Sequence, residues 1–278
     1  MQQDTEQAFA KINLALHVRT RRADGYHDIE TLFAFVDQGD QISVQASETL
    51  SLTVGGRFRA GLEGDDNLIL RAARLLRESW KIDQGAALTL DKRLPVASGI
   101  GGGSADAAAT ARLLNRFWNI GADHRQLAEM LAPLGADIPA CLFSLTARGE
   151  GTGTALAMLD SAELKGVPTL LVNPLKPVST AQIFSAWDGR DRGALGGGDI
   201  LEAALSGRND LQPMAVALCP EIAVVLDALA AQKPMLARMS GSGATCFALF
   251  GSEAERDVAS RRIAIAHPNW WIMEGELR

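Results

Sequence analysis

The segment Leu94-Pro95-Val96-Ala97-Ser98-Gly99-Ile100-Gly101-Gly102-Gly103-Ser104-Ala105-Asp106-Ala107-Ala108-Ala109 decides how the rest of the chain is read. Four glycines in five positions (Gly99, Gly101, Gly102 and Gly103) do not serve packing, since each gives up about 0.5–1 kcal/mol relative to alanine in a regular element. They fit a backbone that must take positive φ or admit a ligand to its N–H groups. The run that follows, through Leu114, is a strong helix former with Ser104 in position to cap it. A glycine loop feeding a helix N-terminus gathers unpaired N–H donors at the positive end of the helix dipole, which suits phosphate. The loop lacks a Gly-Lys-Ser/Thr ending, and the sixth position counted from Gly99 is Ser104. Neither a Walker loop nor a strict dinucleotide fingerprint is therefore present. The bland alternative is a flexible linker before a helix; Pro95 and the alanine-rich helix stiffen both flanks against it.

Upstream, residues 8–18 alternate: Ala10, Ile12, Leu14, Leu16 and Val18 share one face of a strand, and Lys11, Asn13, Ala15 and His17 the other. From the pattern alone the second face is solvated. Asp24-Gly25 is a turn pair, so Tyr26, the only tyrosine of the chain, and His27 follow a tight reversal. Strands are expected over 31–36, 40–45 and 50–54, and an amphipathic helix capped by Asn67 carries Leu68, Ala72, Leu75 and Leu76 inward. After a strand over 86–90, Lys92 and Arg93 read as an exposed basic pair, which by itself means little.

Downstream, a helix is expected over 123–131. Pro139 disfavours helix for Ile138, which sets Asp137 at a helix-to-loop joint. A carboxylate there is either a cap or a functional group, and the residues alone favour the cap. Further strands are expected over 154–159, 169–172 and 270–273, and a helix opens at Ser179 or Thr180. Residues 188–198 read as a mobile surface loop. A helical stretch that follows Arg208–Leu211 and runs through Leu218, and helices over 220–231 and 253–266, flank a small-residue turn, Met239–Thr245, that enters a buried strand. Ser240 stands where a nucleophile elbow would need glycine, which argues against a hydrolase.

Composition narrows the class. The 278 residues are 47% hydrophobic but only 5% aromatic, so the core is built mainly from Ala, Leu, Val and Ile. A net charge of −6 argues against a general nucleic-acid binder, which needs a basic face. Cys141, Cys219 and Cys246 are widely spaced in apolar runs, the pattern of buried reduced thiols. The four histidines form no metal-ligand spacing. The amino-terminal residues have no leader pattern, and no apolar run reaches membrane-spanning length, so a cytoplasmic protein without membrane contact is expected. A composition shift over 160–167 suggests a domain boundary.

The run Pro95-x-x-x-Gly99-Ile100-Gly101-Gly102-Gly103-Ser104-Ala105 resembles the ATP loop of the GHMP kinases. Ala10-Lys11-Ile12-Asn13-Leu14 resembles that family's first motif, and the segment Met239–Phe247 its third, which buttresses the phosphate loop. The resemblance spans nearly the whole chain. It implies an α+β, two-domain GHMP kinase fold. An N-terminal ribosomal-protein-S5-like, ATP-binding domain would cover residues 1–163 and a C-terminal ferredoxin-like α/β-plait domain residues 164–278.

The resemblance also implies roles. ATP would lie against Pro95, Val96, Ala97, Ser98, Gly99, Ile100, Gly101, Gly102, Gly103, Ser104 and Ala105, with Asn67 facing the nucleotide as well as capping its helix. Gly135-Ala136-Asp137-Ile138-Pro139 matches the segment that carries the catalytic aspartate, so Asp137 would accept the proton of the acceptor hydroxyl. Lys11 would orient Asp137, keep it ionised and stabilise the moving phosphoryl group. Arg22-Ala23-Asp24-Gly25-Tyr26-His27 is similar to the members whose acceptor is a cytidine-diphosphate-linked methylerythritol. Tyr26 would stack on the cytosine with Phe184 opposite, His27 would read the base edge, and Asn13 and Thr180 would line the acceptor side.

Ile100 and Ala105 stand where the family also carries Leu and Ser. The second change leaves Ser104 as the contact for Mg²⁺ or the β/γ-phosphates. ATP and Mg²⁺ are thus the implied cofactors, a small molecule the partner, and a monomer or weak homodimer the state. Two rivals stay open: a family member with another acceptor such as homoserine, and a non-enzymatic nucleotide-sensing or RNA-contacting module.

Overall fold

The alternation over residues 8–18 builds a strand longer than the pattern suggested, β1 (Asp4–Arg21). It pairs with a second long strand, β2 (His27–Ser47). The sequence reads as two strands with a break near Asp37-Gln38-Gly39; the structure runs straight through. Gly39 serves close approach and makes no turn, since a Cβ there would fall 1.9 Å from the Ala8 carbonyl oxygen. The second face of β1 is also not solvated: Lys11, Asn13 and His17 are all buried. This computed structural model describes residues 4–64 and 66–278. The first three residues, part of the segment read for a leader, lie outside them.

The chain forms two compact units, each discontinuous in sequence. The first comprises the described residues up to Ala10, Gly39–Val96 and Gly101–Ser144. In it β2 pairs antiparallel with β4 (Gly85–Asp91), and β3 (Leu50–Gly55) joins β4 in parallel. Between them in sequence lies α1 (Leu68–Ser79), capped by Asn67 as expected, with Ile69, Leu70, Ala72, Ala73 and Leu76 buried. The central helix is α2 (Gly102–Phe117), whose residues 105–114 are all buried. Its alanines let α1 and α4 (Ile138–Phe143) pack closely against it.

Arg112 is one of three polar residues in this buried run, with Asp106 and Thr110. Its guanidinium meets Glu6 at 2.8 Å and donates to the carbonyls of Gln7, Cys141 and Leu142. One side chain therefore ties α2 to β1 and to the end of α4. Between α2 and α4 lies α3 (His124–Leu131), opened by a reciprocal Asp123–Gln126 capping box.

The second unit comprises Lys11–Gln38, Ala97–Ile100 and Leu145–Arg278. Here β2 pairs with β5 (Ala147–Glu150), which turns back into β6 (Ala155–Met158). The rest is a four-stranded antiparallel sheet of β7 (Pro168–Asn173), β8 (Leu236–Met239), β9 (Cys246–Leu249) and β10 (Trp271–Glu276), in the order β10-β7-β9-β8. Helices α5 (Thr180–Ser185), α6 (Ile200–Ser206), α7 (Gln212–Leu218) and α8 (Glu221–Ala230) connect β7 to β8, and α9 (Glu253–Ala266) connects β9 to β10. That order and connectivity are the ferredoxin-like plait the resemblance implied. Its core joins Leu170, Val172, Ile222, Val225, Leu229, Phe250 and Ile263.

The short α6 and β8 carry no pattern long enough to be read from sequence. Nor is the 188–198 segment loose. Leu195 is buried and its N–H donates to Glu30, while the Gly193 carbonyl accepts from Arg208 and meets His17 Nδ1. Among the described residues no helix is long and apolar enough to cross a membrane.

Candidate active site

In the first unit the glycine loop enters through Pro95 and Val96 and leaves through α2. Ser104 does not cap this helix. Gly101 takes the cap position at φ 65°, in the left-handed region, and makes no side-chain bond. Because glycine carries no Cβ, the chain turns into the helix earlier than a serine cap would allow. Ser104 becomes the third helical residue, and the N–H groups of Gly102, Gly103 and Ser104 fall among the first-turn donors that lack intrahelical partners. Gly103 is exposed, Ser104 half-buried and Ala105 buried.

Lys92 is not an exposed cation. It is buried, and its ammonium meets Asp40 Oδ2 at 2.6 Å and Asp106 Oδ2 at 2.5 Å. Its pKa is raised: burial works against the charge, and Asp106 and Asp40 outweigh it. Asp106 is pushed up to about 8, first by burial, with Lys92 opposing and Asp40 adding to the rise.

Asp137 stands at the N-cap position of α4, but its carboxylate makes no capping bond, so the simple structural role favoured by the sequence is not the one it plays. Pro139 lies in the first turn of α4 rather than breaking it, since an N–H there has no helical partner to lose. Asn67 uses its side-chain oxygen on Ile69 N–H and its amide on the Leu62 carbonyl, both at 2.9 Å.

In the second unit, Ala97–Ile100 is stitched to two other segments. Thr245 N–H donates to the Ser98 carbonyl, Ser240 Oγ to the Gly99 carbonyl at 2.8 Å, and Lys11 N–H to the Ile100 carbonyl. A Cβ on Gly99 would fall 2.4 Å from the Ser240 carbonyl oxygen, so only glycine lets the turn after β8 lie this close.

The polar face of β1 is satisfied internally. Lys11 Nζ meets Asn13 Oδ1 at 3.3 Å and lies 4.7 Å from the Phe33 ring centre. The Asn13 amide donates to Thr31 Oγ1 at 2.7 Å, and its backbone N–H to Ser240 Oγ. Lys11 and Asp137 belong to different compact units.

Among the proposed acceptor contacts, Tyr26 is 65% exposed, while His27 is buried at 7%. Phe184 packs against His27, with ring centres 5.2 Å apart, and the Trp187 ring meets His27 edge-on at 5.6 Å. His27 turns inward because two aromatic rings of one segment hold it. Trp187, absent from the sequence reading, could have been found by its i,i+3 spacing from Phe184. Arg21 Nε lies 3.3 Å from His27 Nε2. A guanidinium only donates, so Nε2 accepts and Nδ1 carries the proton of the neutral ring. Burial, then the Arg21 charge, lowers the His27 pKa. Thr180 Oγ1 meets Ser242 Oγ at 2.8 Å.

A glycine loop opening a buried helix, with its middle bonded to the turn after β8, defines a class: an α+β protein organised around a phosphate-type loop. Comparison with known proteins narrows it. Residues 67–144 match the GHMP kinases N terminal domain, and residues 196–269 the GHMP kinases C terminal region. The chain is 54% identical over 277 residues to a 4-diphosphocytidyl-2-C-methyl-D-erythritol kinase of Sphingopyxis alaskensis, covering 98% of each. It is 53% identical to a protein of the same description from Rhizorhabdus wittichii, covering 99% of this chain and 94% of that one. A crystal structure of a 4-(cytidine 5'-diphospho)-2C-methyl-D-erythritol kinase superimposes with a TM-score of 0.79 at 32% identity, covering 99% of both chains. A homoserine kinase from Cytophaga hutchinsonii, at 17% identity and a TM-score of 0.71, shares the fold. The chain belongs to the GHMP kinase family.

Proposed function

We propose that the protein is an ATP-dependent kinase that phosphorylates the 2-hydroxyl of 4-diphosphocytidyl-2-C-methyl-D-erythritol, giving the 2-phosphate and ADP in the non-mevalonate route to isoprenoid precursors. The observation that carries this reading is the end-to-end identity of 54% with a relative described as that kinase. The proposed domains are residues 1–163 and 164–278. A cytoplasmic location, a small-molecule acceptor, no nucleic-acid partner and a monomer or weak homodimer complete the reading.

The chemistry follows from the side chains. Phosphoryl transfer asks mainly for positioning and charge stabilisation. The first-turn N–H groups of α2, with Pro95 to Ala105 around them, hold the ATP phosphates, and Asn67 borders the nucleotide. Asp137, whose carboxylate is not spent on capping α4, accepts the proton of the acceptor hydroxyl. Lys11 orients it and stabilises charge on the transferring group, while Asn13 and Thr180 hold the acceptor. His27, neutral with its proton on Nδ1, donates to an acceptor atom of the cytosine edge. Tyr26 offers an exposed ring to one face of the base, and Phe184, which packs against His27, takes the opposite face.

Among the described residues no cluster of three or more His, Cys, Asp or Glu could hold a metal ion by itself. That fits Mg²⁺, which usually arrives on nucleotide phosphates and keeps only one or two protein ligands. Ser104 is the proposed ligand, and the ion would supply neutralising charge to the phosphates.

The test is an acceptor panel. Purified protein with ATP is expected to phosphorylate the cytidine-diphosphate-linked methylerythritol and to leave homoserine and mevalonate unmodified. Turnover of homoserine at a comparable rate would transfer the assignment to another family member. Salt-dependent RNA binding without phosphoryl transfer would remove the enzyme reading altogether.

A further inference from the structure

The buried cluster Lys92–Asp40–Asp106 reaches both ends of the glycine loop. Asp40 Oδ1 accepts from the N–H groups of Arg93 at 2.6 Å and Leu94 at 2.8 Å, the residues that lead into Pro95. Its other oxygen binds Lys92 Nζ. The same ammonium binds Asp106 in α2, the helix that leaves the loop. A Cβ on Gly102 would lie 3.2 Å from Lys92 Nζ, so the ammonium sits directly beneath the first helical residue.

Stability does not account for this cluster. Burying one ammonium and two carboxyl groups carries a desolvation cost that their attraction recovers only when every polar atom is satisfied. Here it is not: Asp106 Oδ1 is buried without a hydrogen-bond partner. Nor is Lys92 offered as a phosphate ligand, because its ammonium is held between two carboxyl groups and out of solvent. What the cluster does supply is a fixed distance between the strand that enters the loop and the helix that leaves it.

We propose that Lys92, through Asp40 and Asp106, is a positioning residue for nucleotide binding: it clamps the two ends of the glycine loop so that the first-turn N–H groups of α2 are presented in register to the ATP phosphates. This rests on the reading of Pro95–Ala105 as the ATP loop. Asp106→Leu cuts the clamp at the helix end while leaving Lys92 and Asp40 as a charge-balanced pair, so the fold is retained. KM for ATP is expected to rise at least about tenfold, with KM for the acceptor within about twofold. Asp106→Asn keeps an oxygen for Lys92 and is expected to rescue KM for ATP to within about threefold of the parent.

Should Asp106→Leu not accumulate as folded protein, Lys92→Met in the Asp106→Asn background is measured in its place, with the same selective rise expected. An unchanged KM for ATP in the folded variant, or equal rises in both KM values, overturns the proposal. Gly103→Val separates this from the underlying reading. Gly103 is exposed, and a Cβ there makes only an ordinary 3.4 Å contact with Leu68. If Gly103→Val leaves KM for ATP unchanged, the loop is not the ATP site. If it raises KM while the cluster variants do not, only the clamp is wrong.

Discussion

Asp137 and Asp106 show two fates for a carboxylate near the start of a helix. Asp137 sits where aspartate commonly caps, yet it makes no cap bond; Asp106 sits inside α2 and is buried against Lys92. For Asp137 the expected consequence is catalytic. Asp137→Asn should lower turnover by roughly 10²–10⁴, the range for loss of a general base. Lys11→Ala should also lower kcat, with single-turnover rates reporting the loss at the chemical step. A near-parental rate in either variant would remove that residue from the mechanism.

For Asp106 the consequence is thermodynamic. Its pKa in the folded protein, about 8, lies well above the value of about 3.9 for an unfolded aspartate. The native state therefore holds a proton that the unfolded chain has released. Its contribution to stability is complete below about pH 4 and is lost as pH rises towards 8. Because Lys92 binds Asp106 directly, the titration belongs to that pair rather than to Asp106 alone. Urea denaturation from pH 5 to 8.5 should show the parent losing stability relative to Asp106→Asn as pH rises; parallel curves would contradict the shift.

At the scale of elements, the start of α2 separates what local pattern can and cannot convey. That a helix follows the glycines is evident from the alanine-rich run. Where it begins is not, because Gly101 at φ 65° replaces the serine cap that propensity favours. Gly101→Val puts a β-branched side chain into the left-handed region, at a cost of about 1–2 kcal/mol or more. The midpoint of thermal unfolding should fall, and KM for ATP should rise as the first turn shifts. The continuous β2 illustrates the opposite error. A glycine flanked by Asp and Gln reads as a turn, whereas Gly39 is there because the Ala8 carbonyl leaves no room for a Cβ.

Across the whole molecule, long-range polar ties decide how segments remote in sequence are held. Glu30 bonds Arg19, Arg148 and the N–H of Leu195, and so pins the 188–198 segment that composition alone describes as loose. Burial raises the Glu30 pKa, but the Leu195 N–H, Arg148 and Arg19 outweigh it and leave it lowered. Glu30→Ala should cost roughly 1–3 kcal/mol through its charge-assisted bonds. It should also speed amide exchange at residues 193–196 by tenfold or more relative to β7. Unchanged exchange there would show that the segment is held by other contacts.

Much of this protein was open to sequence reading, for a common physical reason. Strand alternation, the Asn67 cap, the glycine loop and the motif residues all depend on neighbours within a few positions, and such patterns are visible in the chain itself. The tertiary structure alone decided that Lys92 is buried between Asp40 and Asp106, that Phe184 and Trp187 close on His27, and that Ser240 and Thr245 hold the middle of the loop. Those outcomes turn on burial and on partners far away in sequence, and desolvation acts only once distant segments have come together.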